Sequence, residues 1–243
     1  MGAVGGVSEQ IGRKSRSVLY TIKKGFTMGT KIGILGSGMV GQALAIGFIT
    51  HGYDVMIGTG SEDKYAELKE KTSGKAKIGT FEQAAAFGEI LVLSVKGIGA
   101  EAVMNAGRIS NFNGKTVIDT TNPITETPPV NGVLQYFTPM NSSLMEKLQN
   151  LAPDAHFVKA FSSVGSAHMV NPDFGGIKPT MFICGNDEQA KSDVEKILGQ
   201  FGWEYADMGT AEAARAIEPL AILWCIPGFL HNEWGHAFKL LKK

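Results

Sequence analysis

Short apolar runs alternate with stretches of helical spacing along most of the chain. Residues 32–35, 54–57, 77–79, 90–95, 116–119, 157–161, 181–184 and 203–206 read as strands. Residues 90–95 are a near-continuous apolar run, as expected of a parallel strand buried on both faces. Between the strands lie helical patterns. Val40, Leu44 and Phe48 recur at helical spacing over residues 40–51, and Gly52 is the expected stop. Further helices are predicted over residues 65–72, from Thr80, over 99–107, from Ser143 to Leu151, and from Asn186 or Asp187 to near Gly202. Thr80 with Gln83, and Ser143 with Glu146, have the spacing of capping boxes. The alternation predicts an α/β fold with a doubly wound parallel sheet. A small helical lobe is expected from about residue 210, with Pro219 starting a new turn or kinking it.

Two stretches break the rhythm. Residues 124–142 hold Pro128, Pro129, Asn131, Gly132 and Pro139, and a loop of that length reads as a lid or a mobile insert. Residues 1–27 are rich in Gly and Ser and carry five Lys or Arg against Glu9 alone. They read as a flexible extension, as the result of a start codon placed too early with Met28 just before the first strand, or as a transit-like segment, which leaves residues 28–243 as the expected folded domain.

One junction carries more chemistry than any other. Apolar residues 32–35 run into Gly36-Ser37-Gly38-Met39-Val40-Gly41, a G-x-G-x-x-G that opens a helix. Strand, glycine turn and helix in that order make a pyrophosphate site. Gly36 permits the turn, Gly38 lets phosphate approach the backbone, and Gly41 lets the helix pack on the strand. The helix then directs its N–H groups and partial positive charge at the anion. The second strand tip reads Gly58-Thr59-Gly60-Ser61-Glu62-Asp63-Lys64. An NAD site usually places an acid at the tip itself. Here two hydroxyls and Lys64 lie close by, which suits the 2′-phosphate of NADP. Ser61 also has the position of a helix cap.

Composition narrows the function classes. The 243 residues carry no net charge, with 44% apolar and 19% charged positions, which favours neither nucleic acid nor an anionic membrane surface. The longest apolar run, residues 220–230, is interrupted by Pro227 and Gly228 and falls short of a membrane span. A cytoplasmic protein is expected. Cys184 and Cys225 fall in apolar segments and read as reduced core residues, and the five histidines show no metal-ligand spacing.

The glycine motif, the 58–61 tip, Asp119-Thr120-Thr121-Asn122-Pro123, Val158-Lys159-Ala160-Phe161-Ser162-Ser163 and Ala214-Arg215-Ala216-Ile217-Glu218-Pro219-Leu220 together resemble the NADP oxidoreductases dependent on coenzyme F-420, a deazaflavin. The cytoplasmic domain of six-transmembrane ferric reductases belongs to the same wider group. The resemblance runs from Lys31 to near the C-terminus. It implies a Rossmann domain with NADPH in a cleft and direct hydride transfer to a flat ring. Such chemistry needs position rather than an acid or base from the protein. It also implies that Ser37, Thr59 and Lys64 lie near the 2′-phosphate, that Ser94, Val95, Lys96, Asn122 and Pro123 line the nicotinamide side, and that Ser162, Ser163 and Val164 face the second ring. Gly60 stands where that family often has Arg, Ser162 where it favours His, and Gly165 where it favours Pro. The acceptor is therefore F-420, a flavin or another small redox molecule. The alternatives are a non-catalytic NADPH-binding sensor and, ranked last, an imine or hydroxyacid reductase.

The remaining charges and rings have plainer readings. Lys96 is a solvated loop charge or a site residue. Lys159 lies in a strand and calls for a carboxylate partner. Arg215 and Glu218, three apart, read as a helix ion pair. The three tryptophans read as core or interface anchors. Leu220, Leu223, Trp224 and Phe229 form a stripe that is core or the seam of a homodimer.

Overall fold

The computed structural model describes residues 1–2 and 29–243. The expected basic extension over residues 1–27 thus lies, but for its first two residues, outside the described part. The strands are β1 (Lys31–Leu35), β2 (Asp54–Gly58), β3 (Lys77–Gly79), β4 (Ile90–Leu93), β5 (Thr116–Asp119), β6 (His156–Lys159), β7 (Thr180–Gly185) and β8 (Glu204–Asp207). The helices are α1 (Met39–Thr50), α2 (Tyr65–Lys71), α3 (Phe81–Phe87), α4 (Ala100–Ala106), α5 (Leu144–Leu151), α6 (Glu188–Gln200), α7 (Ala214–Ile217) and α8 (Leu220–His231). All strands join one sheet in the order β3-β2-β1-β4-β5-β6-β7-β8. The first six run parallel; β7 is antiparallel to β6, and β8 parallel to β7. This is the Rossmann-like doubly wound sheet.

Both faces of the central strands are covered, which explains their continuous apolar runs. Ile32, Ile34, Ile90 and Val92 point into one core with Leu44 and Phe48 of α1 and Val194, Ile197 and Leu198 of α6. Leu35, Leu91 and Leu93 point into the other with Met104 of α4, Leu144 and Leu148 of α5, and Ile217 of α7. Gly33 faces α3, where a Cβ would come within 2.1 Å of the Ala84 carbonyl oxygen. Thr80 and Ser143 both close full capping boxes, and Asp187 caps α6 through the Ala190 N–H.

The C-terminal lobe begins with a 3-10 turn at Ala211–Ala213, followed by α7 and α8. Pro219 starts α8, as its fixed φ favours. Pro227 does not interrupt it: α8 continues to His231. The helical run Ala211–His231 therefore reaches 21 residues and contains an 18-residue window of mean hydropathy 1.4, the length and composition of a bilayer-crossing helix, contrary to the reading from residues 220–230 alone. It carries Glu218, which is buried against the sheet. The apolar stripe divides: Trp224 is buried, whereas Leu223 and Phe229 are exposed. Beyond α8 the chain doubles back. His236 stacks on Trp224, whose Nε1 donates to the His236 carbonyl at 2.8 Å, and Thr180 N donates to the Phe238 carbonyl. Residues 124–142 form no regular element beyond the bridges Ile124–Tyr136 and Val130–Val133. The Tyr136 hydroxyl donates to the Glu218 carbonyl at 2.6 Å, and Gly132 packs against Leu230, so this loop is tied to the lobe.

Candidate functional site at the carboxyl edge of the sheet

Register places the site. Leu35 pairs with Gly58 and with Leu93, Leu93 with Asp119, and Asp119 with Lys159. Five strands therefore end level, and the residues that follow them, at 36–41, 59–64, 94–99, 120–123 and 160–164, rise from one edge. Ligands of open α/β sheets bind there, where the winding reverses between β1 and β4.

The glycine turn has the geometry its sequence calls for. Gly36 adopts φ +132°, open to glycine and strained for other residues, and a Cβ there would lie 2.2 Å from the Ser94 carbonyl oxygen. A Cβ on Gly41 would lie 2.1 Å from the Gly36 carbonyl oxygen, so the helix seats directly on the turn. Gly38 caps α1 with no side chain of its own, and the space where its Cβ would point is open. No acid lies in the first turn of α1. The helix end thus presents amides and dipole, unopposed by a local carboxylate, to an open groove. Gln42 steadies the turn by donating from Nε2 to the Ser37 carbonyl at 2.8 Å.

Two cavities share this edge. One, of about 360 Å³, is lined by Gly36, Ser37, Gly38, Thr59, Gly60, Ser61, Lys64, Phe81, Ser94, Val95 and Lys96. Its hydroxyls are linked: Ser37 Oγ donates to Thr59 Oγ1 at 3.0 Å, and the Ser61 N–H donates to the same oxygen at 3.3 Å. The other, of about 740 Å³, is lined by Gly38, Met39, Val40, residues 94–98, Thr120, Thr121, Asn122, Ile124, Thr125 and Glu126. The two meet at Gly38, Ser94, Val95 and Lys96, so they form one groove across the mouth of the glycine turn. The charged side chains along it are Lys64, Lys96 and Glu126.

Most of the residues singled out from the sequence line this groove. Pro123 does not; its carbonyl accepts from the Phe137 N–H at 2.9 Å and holds the loop that follows. Ser162, Ser163 and Val164 are buried and line neither cavity, and Asn122 Nδ2 donates to the Ser162 carbonyl at 2.7 Å. Asn122 Oδ1 and Ser162 Oγ are buried and make no hydrogen bond, which leaves polar capacity at the inner wall. Sequence reasoning missed Phe81, Ile98, Ile124, Thr125 and Glu126, and placed Gly97 in the loop at the ligand edge without giving it a role. Gly97 is the telling case: a Cβ there would come within 2.0 Å of the Asn122 carbonyl oxygen, so glycine alone lets the two loops close on each other. A glycine just beyond a strand tip was the signal available for it.

Below the groove lies a buried charged cluster. Lys159 Nζ contacts Asp119 Oδ2 at 2.7 Å, Glu218 Oε1 at 2.9 Å and the Thr121 carbonyl at 2.8 Å, with all three ionic side chains buried. Burial alone would lower the Lys159 pKa; the two carboxylates outweigh it and hold the ammonium charged, above its ordinary value. Glu218 is thereby taken away from Arg215. The expected helix pair is not formed: Arg215 reaches Glu146 on α5 instead. Among the described residues no group of His, Cys, Asp and Glu could hold a metal ion, and both cysteines are free thiols.

Comparison with known proteins agrees with this geometry. Residues 31–123 match the family model described as NADP oxidoreductase, coenzyme F420-dependent. The chain is 28% identical over 205 residues to Metalloreductase STEAP3 of Rattus norvegicus; the match covers 82% of this chain and 39% of that protein, so the chain spans about two fifths of the relative's length. A crystal structure from Arthrobacter sp. FB24, assigned as an F420-dependent NADP-reductase, superposes with a TM-score of 0.81 at 26% identity, covering 88% of this chain and all of that one. A reductive aminase from Aspergillus terreus, solved with NADPH and ethyl-5-oxohexanoate, shares the fold at a TM-score of 0.61 and 21% identity, over 84% of this chain and 63% of that one.

Proposed function

We propose, from the premise that the chain belongs through its dinucleotide-binding half to the coenzyme F420-dependent NADP oxidoreductase family, that it transfers hydride between NADPH and a deazaflavin or flavin-like ring. One observation carries the reading. A single groove joins a phosphate-sized cradle of glycine amides and hydroxyls to a larger cavity walled by Met39, Val40, Ile98 and Asn122.

The residues fit NADP. The amides of residues 37–40 would hold the diphosphate, because α1 begins without a side-chain cap and the space at Gly38 is open; the Gly36 amide is already given to the Gly58 carbonyl. Ser37, Thr59, Ser61 and Lys64 would receive the 2′-phosphate, three of them already joined by hydrogen bonds around one oxygen. Ser94, Val95, Lys96 and Asn122 would line the nicotinamide side. When bound, the dinucleotide supplies the hydride itself. The protein then has to orient two rings and exclude water, and alignment of that kind is worth about 7–11 kcal/mol of barrier. Met39 and Ile98, both exposed, give the larger cavity apolar walls against which a flat ring can lie.

The test is stopped-flow mixing of NADPH-loaded protein with F-420 and, separately, with FMN. Loss of 340 nm absorbance at a rate dependent on protein concentration is the expected result. NADPH binding without any such loss would make the chain a non-catalytic NADPH sensor.

A further inference from the structure

Lys159 makes three short contacts from a site sealed from solvent, and two of them converge on one residue, Thr121. Its Nζ donates to the Thr121 carbonyl at 2.8 Å. Its partner Asp119 accepts through Oδ1 from the Thr121 N–H at 2.9 Å and the Thr121 hydroxyl at 2.7 Å. Thr121 is therefore gripped from both ends, and the next residue is Asn122, on the wall of the larger cavity. The third contact, with Glu218, reaches into the C-terminal lobe. The Glu218 carboxylate also accepts from the N–H groups of Leu144 and Met145 at 3.0 Å each, at the first turn of α5. One ammonium thus joins the cavity wall, the lobe and a third helix.

Stability alone does not account for this arrangement. A buried cluster of this kind is often matched or exceeded in stability by apolar side chains of the same volume. What apolar groups cannot do is fix a residue by directed contacts at both its N–H and its C=O. The cluster holds two carboxylates to one ammonium, and the surplus negative charge faces backbone N–H donors at Thr121, Leu144 and Met145. Each carboxylate is therefore held in orientation as well as in place.

We propose that Lys159 is a positioning residue for the nicotinamide half of the dinucleotide site, and that Glu218 is the anchor through which the C-terminal lobe sets it. The inference rests on the dinucleotide reading above. It concerns only the wall at Thr121 and Asn122, and leaves the end at Ser37, Thr59 and Lys64 independent of the cluster.

That independence provides the test. Lys159→Met, and the charge-balanced pair Lys159→Met with Glu218→Gln in case the single variant does not fold, are compared with wild type by calorimetry. The ligands are 2′,5′-ADP, which has the adenine end alone, and NADPH. The expected result is a dissociation constant for 2′,5′-ADP within twofold of wild type, one for NADPH raised fivefold or more, and kcat lowered tenfold with little change in the acceptor KM. Equal weakening of both ligands, or of neither, overturns the proposal. Wild type that binds 2′,5′-ADP as tightly as NADPH overturns it too, while leaving the dinucleotide site standing. Wild type that binds neither removes that site and the proposal together.

Discussion

Arg215 lies against Glu146, its Nε donating to Oε2 at 3.0 Å, and Glu146 is the residue that closes the capping box of α5. The pair joins the lobe to α5 from outside, as Glu218 does from within. The Arg215 hydrogen bond, with help from Ser143, holds the Glu146 carboxyl below its ordinary pKa despite partial burial. A depressed folded-state pKa contributes stability that is present above the unfolded value, near 4.3, and lost as pH falls through the folded value. Glu146→Gln keeps the box, since Gln serves at that position, and removes only the charge. The variant should melt about 1–3 °C below wild type at pH 7. That gap should close as the buffer is taken from pH 5 to pH 3, and a gap unchanged across this range would mean the ion pair contributes nothing.

Gly97→Ala tests the approach of two loops at the cavity wall. The new methyl would sit 2.0 Å from the Asn122 carbonyl oxygen, so backbone has to move. Overpacking of this kind costs about 1–3 kcal/mol. Displacement of reacting groups by about 1 Å can cost up to about 100-fold in rate. Single-turnover hydride transfer should slow at least tenfold, while 2′,5′-ADP binding should change less, because Gly97 lines the larger cavity and not the one that holds Ser37, Thr59 and Lys64. A wild-type transfer rate would show that the wall at Asn122 does not position the ring.

The fold was legible where local and global signals agree. The runs at Ile90 and Ile32 are apolar on both faces because helices cover both, and a parallel sheet follows from that. The glycine turn was legible because its spacing and its place between a strand and a helix are local, although the contact that excludes a side chain at Gly36 comes from Ser94 beyond β4. What sequence could not show depends on partners far apart in the chain. Glu218 stands three residues from Arg215, a spacing that favours their pairing on a helix. Lys159, drawn to the same place by sheet register, takes Glu218 instead, because a buried ammonium has a stronger need of a carboxylate than an exposed guanidinium has. Gly97 was passed over because its use appears only when the 120–123 loop lies against it. Pro227 suggested a break, yet α8 passes through it, since the helix there is held by packing on both sides of the missing N–H.

Cys184 is shielded in a way that labelling can measure. Burial pushes its thiol up to about 12; Lys159 opposes that rise and the nearby Asp119 and Glu218 carboxylates add to it. Its Sγ contacts Met145 Sδ at 3.7 Å, deep beside the charged cluster. The thiolate is the reactive form, and at pH 8 a thiol with that value is ionised to about one part in 10⁴. Iodoacetamide at pH 8 should therefore leave Cys184 unmodified in native protein over hours, with half-buried Cys225 reacting slowly. Both should react within minutes in urea. Fast native labelling of Cys184 would mean that the packing around β7 and α5 opens readily.

The adenine end of the groove should respond in opposite directions to two substitutions. Lys64 lines the smaller cavity with the hydroxyls of Ser37, Thr59 and Ser61. Lys64→Ala removes a cation that a 2′-phosphate meets and a 2′-hydroxyl does not. The KM for NADPH should rise about fivefold, an effect of about 1 kcal/mol, and that for NADH should stay put. Gly60 sits in the same wall, and a Cβ there would meet nothing closer than the Phe81 ring at 3.4 Å, an ordinary contact. Gly60→Arg thus has room for its Cβ and adds a guanidinium whose fork is available to a phosphate. It should lower the NADPH dissociation constant about fivefold and leave NADH unaffected. Both effects depend on screened charge, so raising salt from about 0.05 M to 0.5 M should shrink them together. If Gly60→Arg tightened NADH as much as NADPH, the groove would bind a diphosphate at this end rather than a 2′-phosphate, and the preference for NADP would have to come from elsewhere.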